Sequence, residues 1–125
     1  MEHQLSKREK KIARDCISKA LEAEFREAMT RFEAIIDEWK QGKITDTGEA
    51  YRTLHRAIRE KDKEIARRYD HQSGSTYLDT VIDIFIDGYI SEADIKDFSE
   101  ETKAIINRGV QFAKSMRVTI PNGRD

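Results

Sequence analysis

The sequence predicts an all-α, dimeric fold: one very long N-terminal helix, a second amphipathic helix and a small C-terminal helical head. Three observations predict it. The only proline among the 125 residues is Pro121, near the end, so nothing in the body of the chain forbids helix. Charged and apolar residues stand at 38% each, too charged for an ordinary compact ball and too apolar for a disordered chain. Apolar residues recur at three- and four-residue steps, with Lys, Arg, Asp and Glu between them.

From Ser6 to about Gln41 the stripe is Ile12, Cys16, Ile17, Ala20, Leu21, Phe25, Ala28, Met29, Phe32, Ile35, Ile36 and Trp39. A helix of about 35 residues is about 50 Å long, more than one short chain can cover, so a second copy or a partner is expected on this stripe. Gly42 provides a left-handed stop, and Thr45 or Asp46 caps the next helix, which runs to about Asp70. Its stripe of Tyr51, Leu54, Ile58, Ile65 and Tyr69 reads as a heptad seam with a gap at Lys61 and Asp62. Charges on a seam cost stability unless they are paired.

Ser73-Gly74-Ser75 is expected to turn the chain into a third helix from Thr76 to Asp87. Leu78, Val81, Ile82, Ile84, Phe85 and Ile86 leave it only a narrow acidic stripe, Asp79, Asp83 and Asp87, so it should be buried on more than one side. Gly88 ends it. Ser91 with Asp94 resembles a capping box, and Ser99 with Thr102 starts a last helix to about Met116. The expectation is a single domain over residues 1–125, with elongated helices over 6–70, a head over 74–116 and a tail over 117–125.

Few features point to chemistry. Net charge is −1, without the basic excess of a nucleic-acid binder. The lone Cys16 lies on the apolar stripe and reads as a small core residue rather than a reactive thiol. His3, His55 and His71 show no metal-ligand spacing, and no nucleophile-elbow motif is present. Asp83 to Asp94 looks like part of a calcium loop, but Phe85 stands where a ligand is needed, so a glycine stop and a serine cap are the preferred reading. The basic residues Arg52, Arg56, Arg59, Lys61, Lys63, Arg67 and Arg68 are interleaved with Glu49, Glu60, Asp62, Glu64 and Asp70, which suggests a solvated, salt-bridged face. The N-terminus MEHQLSKREKK is polar and no run approaches about 18 apolar residues, so a cytoplasmic chain without signal peptide or membrane span is expected. No cofactor or metal and no enzymatic activity are expected.

The stretches YRTLHRAIREKDKEIARRYD, YLDTVIDIFIDGY and ISEADIKDFSEETKAII carry Leu54-His55, Glu64-Ile65, Tyr69-Asp70 and Gly88-Tyr89 in order. Over about Tyr51 to Ile106 this series resembles the fluorescence recovery protein family of cyanobacteria, whose motifs are individually short. The resemblance implies an all-helical homodimer without cofactor or bond chemistry. It also implies binding to light-activated orange carotenoid protein and faster return of that partner to its resting orange form. The dimer would use the first long helix and the Leu-His helix, and the head would add partner surface. The residues implied for dimer or partner contact are Tyr51, Leu54, His55, Arg56, Ile58, Asp62, Ile65 and Tyr69. Those implied for the head surface are Val81, Phe85, Tyr89, Ile95, Phe98 and Lys103. The chain departs from the family on or beside Arg52, where a Trp is usual and Tyr51 is the alternative stand-in, at Tyr89, and at Arg56 and Asp62, whose charges are swapped in sign. A swapped pair can still bridge across a two-fold axis. The alternatives are a dimeric helical adaptor or toxin–antitoxin-like scaffold for another partner, in a host without orange carotenoid protein, and a calcium-responsive module.

Overall fold

A computed structural model of the chain describes residues 4–70 and 76–119. Five helices follow in order: α1 (Lys7–Lys40), α2 (Thr47–Tyr69), α3 (Tyr77–Ile86), α4 (Glu92–Ile95) and α5 (Glu100–Thr119). No strand occurs among the described residues. The expected turn at 73–75 and His3 and His71 lie outside them. Val118 and Thr119, expected in the tail, belong to α5.

Local chemistry sets the helix ends. Ser6 and Glu9 form a reciprocal pair at the start of α1: the Glu9 N–H donates to Ser6 Oγ at 3.1 Å and the Ser6 N–H to Glu9 Oε1 at 3.4 Å. At the other end Gly42 has φ +81°, the Gly42 N–H donates to the Trp39 carbonyl and the Lys43 N–H to the Glu38 carbonyl. This is a Schellman stop, and only a residue tolerant of positive φ serves it. Gly88, φ +84°, ends α3 in the same way, with N–H groups of Gly88 and Tyr89 on the carbonyls of Phe85 and Ile84. The glycine that suggested a calcium loop is therefore a helix stop, and Asp83 to Ile86 are helical. Asp46 caps α2 through the Gly48 N–H at 3.0 Å. The Ser91–Asp94 capping box is present, and Ser99 Oγ accepts the Thr102 N–H at the start of α5.

The chain divides into two compact units. In the first, α1 up to Ala20 packs with α3, α4 and α5. Its core is Leu5, Ala13, Cys16, Ala20, Val81, Ile84, Ile90, Ile95, Phe98 and Ile106. The early turns of α1, expected with the elongated helices, thus belong with the head. Glu9 is buried here, and its Oε2 accepts the Ser99 N–H at 2.9 Å, capping α5 from another helix. Lys19 Nζ contacts both Asp94 oxygens at 2.8 and 2.9 Å. Where α3 meets α5, Gly109 lies so close to Ile82 that an added Cβ would meet its side chain at 2.9 Å.

The second unit runs from Leu21 to the end of α2. It is an antiparallel hairpin: Trp39 Nε1–H donates to Thr47 Oγ1 at 3.0 Å beside the turn, and Glu24 meets Lys61 and Tyr69 at the far end. Small residues, Ala28, Ala50 and Ala57, fill its buried seam.

Candidate functional site

The seam of the hairpin contains a charge. The Glu24 side chain is only 3% exposed. Its Oε1 accepts from Lys61 Nζ at 3.2 Å, its Oε2 accepts from Tyr69 Oη–H at 2.6 Å, and Arg68 Nε lies 3.6 Å from Oε2. Two cations and a phenol thus compensate one carboxylate, which is the condition under which a buried charge is tolerated. Lys61, the gap in the heptad pattern, is half of this node, and it also lies within reach of Glu27 and Glu64. Asp62, the other half of the gap, is exposed. Reading by apolar periodicity missed Glu24, because a carboxylate on a helix is assigned to solvent by default. The lysine on the seam was the signal that could have found it.

Six large apolar residues of the hairpin sit beside the seam rather than in it. Phe25 follows Glu24, Met29 follows Ala28, Ile36 follows Ile35, Tyr51 follows Ala50 and Ile58 follows Ala57. One residue turns a helix by about 100°. Because α1 and α2 run antiparallel, the same offset on both brings the two rows to the same side of the hairpin. Phe25, Met29 and Tyr51 are 49%, 66% and 69% exposed, and Ile36, Trp39 and Ile58 are also exposed. Between the rows an apolar groove of about 260 Å³ is lined by Ile35, Ile36, Trp39, Ala50, Tyr51 and Leu54.

The side of α2 turned away from α1 is basic. Arg52, Arg56, Arg59 and Lys63, with His55 and Glu60, line a shallow groove of about 370 Å³. The face was expected to be salt-bridged. Instead, among the described residues these four cations make no ion pair, and the pairing on α2 is concentrated at Lys61 and Arg68. The Tyr51 and His55 rings stack at 6.3 Å and 5° on the border between the apolar and basic sides.

The residues expected at the interface therefore separate. Tyr51 and Ile58 lie on the apolar row, with Leu54 on the groove wall. His55 and Arg56 belong to the basic groove. Arg56 and Asp62, six residues apart, point about 120° from each other around α2. Ile65 is half-buried, and Tyr69 is a strut inside the hairpin. In the first unit Val81, Ile95 and Phe98 are buried core, which corrects their expected place on a partner surface. Apolar side chains on helices this short are needed to close that unit's own interior. Phe85 and Tyr89 are half-buried. Lys103 is tied to the Lys96 carbonyl and to Glu100.

The titratable groups of the first unit are held by its fold. Burial opposes the charge on Glu9, but hydrogen bonds from Ser99, Thr102 and Ser6 outweigh it and keep its carboxyl below the ordinary range. Asp94 is likewise desolvated yet lowered, by Lys19 and Ser91. Burial, with Asp94 and Asp15 nearby, pushes the Cys16 thiol up to about 11, and its Sγ lies 3.5 Å from the Asp94 carbonyl oxygen. A thiol so protonated is a poor nucleophile. Among the described residues no three His, Cys, Asp or Glu side chains cluster as a metal site would require, and no helix is long and apolar enough to cross a membrane. No family model, curated protein or solved structure matches the chain.

Proposed function

We propose that this chain is a non-catalytic, cytoplasmic regulatory protein of the fluorescence recovery protein type. It works as a homodimer that binds activated orange carotenoid protein and speeds its return to the orange form. The observation that carries the binding part of this reading is the double row of exposed apolar residues on one side of the hairpin. A second copy laid on that side completes a four-helix arrangement around Phe25, Met29, Ile36 and Tyr51. The named partner comes from the resemblance alone. Regulation follows when such a dimer binds one conformation of its partner better than another.

The decisive experiment mixes the protein with photoactivated orange carotenoid protein and follows dark recovery by absorbance. Acceleration supports the reading. No acceleration and no complex on a sizing column would sink the named partner and leave the second reading, a dimeric helical adaptor for another protein. That alternative is favoured by the basic groove, which Arg52 lines beside Tyr51. Leu54→Glu tests the dimer in either case. A carboxylate in the apolar groove is expected to abolish dimerisation in analytical ultracentrifugation, at a cost of about 2 kcal/mol or more. A dimer unmoved by it would place the contact elsewhere.

A further inference from the structure

We propose that the basic side of α2 is a second docking surface, separate from the apolar row, and that it takes an acidic helical segment of a partner protein. Arg52, Arg56, Arg59 and Lys63 recur at steps of four, three and four, so they form one stripe of about 16 Å along the helix. All four are exposed and none is ion-paired among the described residues. Arg52 with Arg56, and Arg59 with Lys63, are like charges four residues apart, an arrangement that destabilises a helix. The chain keeps these repulsions although acidic residues are plentiful: 24 against 23 Lys and Arg. Glu49, Glu60 and Asp62 stand at helical spacing from these cations but form no ion pair with them among the described residues, so an external anion relieves the remaining repulsion. Three of the four are arginines, whose planar forks match carboxylates bidentately.

The chemistry favours carboxylates on a protein over a polyphosphate. Glu60 lines the groove itself and repels any anion, so the ligand must carry its charges at intervals that pass around it, as side chains on a helix can and a continuous phosphate backbone cannot. The Tyr51–His55 pair is a single stacking platform at one end, not a succession of aromatics along the stripe. Carboxylates spaced three and four residues apart on a partner helix repeat at the same intervals as the cations.

The inference rests on the protein-binding reading but not on the carotenoid partner. The probe is a fluorescein-labelled, alanine-based helical peptide bearing Glu at steps of four, three and four, compared by anisotropy with its Gln counterpart and with a single-stranded oligonucleotide. The glutamate peptide is expected to bind, and to weaken severalfold when salt rises from about 50 to about 200 mM. The variant R56Q/R59Q is expected to lose about tenfold in affinity, the loss of two charge pairs. Its thermal melt should be unchanged or raised, since like charges are removed. Equal binding of the Gln peptide, tighter binding of the oligonucleotide, or an R56Q/R59Q variant that binds as well as the parent would each overturn the proposal. Peptide binding without effect on carotenoid recovery would strike the named partner and leave this surface standing. Recovery without peptide binding would do the reverse.

Discussion

The two units bury different things. The first closes on large residues: Val81, Ile84 and Ile106 are fully buried, with Ile95 and Phe98 nearly so. The hairpin fully buries only alanines and one compensated carboxylate; Leu21, Phe32, Ile35, Leu54 and Ile65 are half-buried, and six bulky side chains stay exposed. Burial of a large aliphatic side chain contributes about 1.5–3 kcal/mol, and an alanine much less. The first unit is therefore stabilised by its own interior. The hairpin depends more on its polar node, and its largest apolar gain is available only to an added surface. Under the proposed dimer, this exposed row is the surface that a second copy would cover. The first unit also exposes Phe112 and Met116, but on one helix and, among the described residues, without a facing row.

The sharpest way to break this contrast is to truncate on both sides of it. Ile84→Ala should destabilise by about 2–5 kcal/mol in denaturant unfolding, because it leaves a cavity in a closed core. Met29→Ala should cost under about 0.5 kcal/mol in dilute protein and lower the concentration dependence of assembly instead. If the two cost the same in dilute protein, the apolar row is already covered within the monomer and the contrast fails. Glu24→Ala comes next. It takes the buried partner from Lys61, Arg68 and the Tyr69 hydroxyl, and should cost about 3 kcal/mol, with Glu24→Leu recovering part of the loss through apolar packing. A neutral Glu24→Ala would mean that the alanine seam alone holds the hairpin. Gly109→Ala is smaller, a net change within about 1 kcal/mol, since the helix gain of alanine is set against the shift of Ile82 that the methyl group forces. Restoration by Ile82→Val would locate the cost at that contact.

The smallest effect is an acid response of the first unit. Glu9 and Asp94 both have folded-state carboxyls below their ordinary values of 4.5 and 3.8. Their contribution is present above those values and is lost as pH falls through and below them. Urea midpoints of the parent should fall between about pH 5 and pH 3, and Glu9→Gln should flatten part of that slope. A slope that the substitution leaves untouched would assign the acid response elsewhere.

Much of the fold was legible because it is written in local signals. Gly42, Asp46, Gly88 and the Ser91–Asp94 pair each act within a few residues, and the helices begin and end where those residues place them. The rotation of the helices was not legible. Apolar periodicity weights bulky residues, so Tyr51 and Ile58 read as seam, whereas the close contact uses their small neighbours Ala50 and Ala57. Helices approach most closely over small side chains, and volume, not hydrophobicity, then decides which row is inside. Glu9 and Glu24 were assigned to solvent for the same reason that most carboxylates are. Their partners, Ser99 and Tyr69, stand 90 and 45 residues away in sequence, beyond the reach of any local rule.

Those separations also have a meaning in time. The hairpin joins neighbours through a short turn, and contacts of that kind form early. The first unit is discontinuous: its opening turns, with Ala13, Cys16 and Ala20, have no cover until α3, α4 and α5 have been made. During synthesis from the N-terminus the hairpin can therefore assemble while the beginning of α1 still waits, its one thiol open to the medium. Because Cys16 is buried only in the finished first unit, loss of reactivity of its thiol reports the moment at which the last helices close over the first.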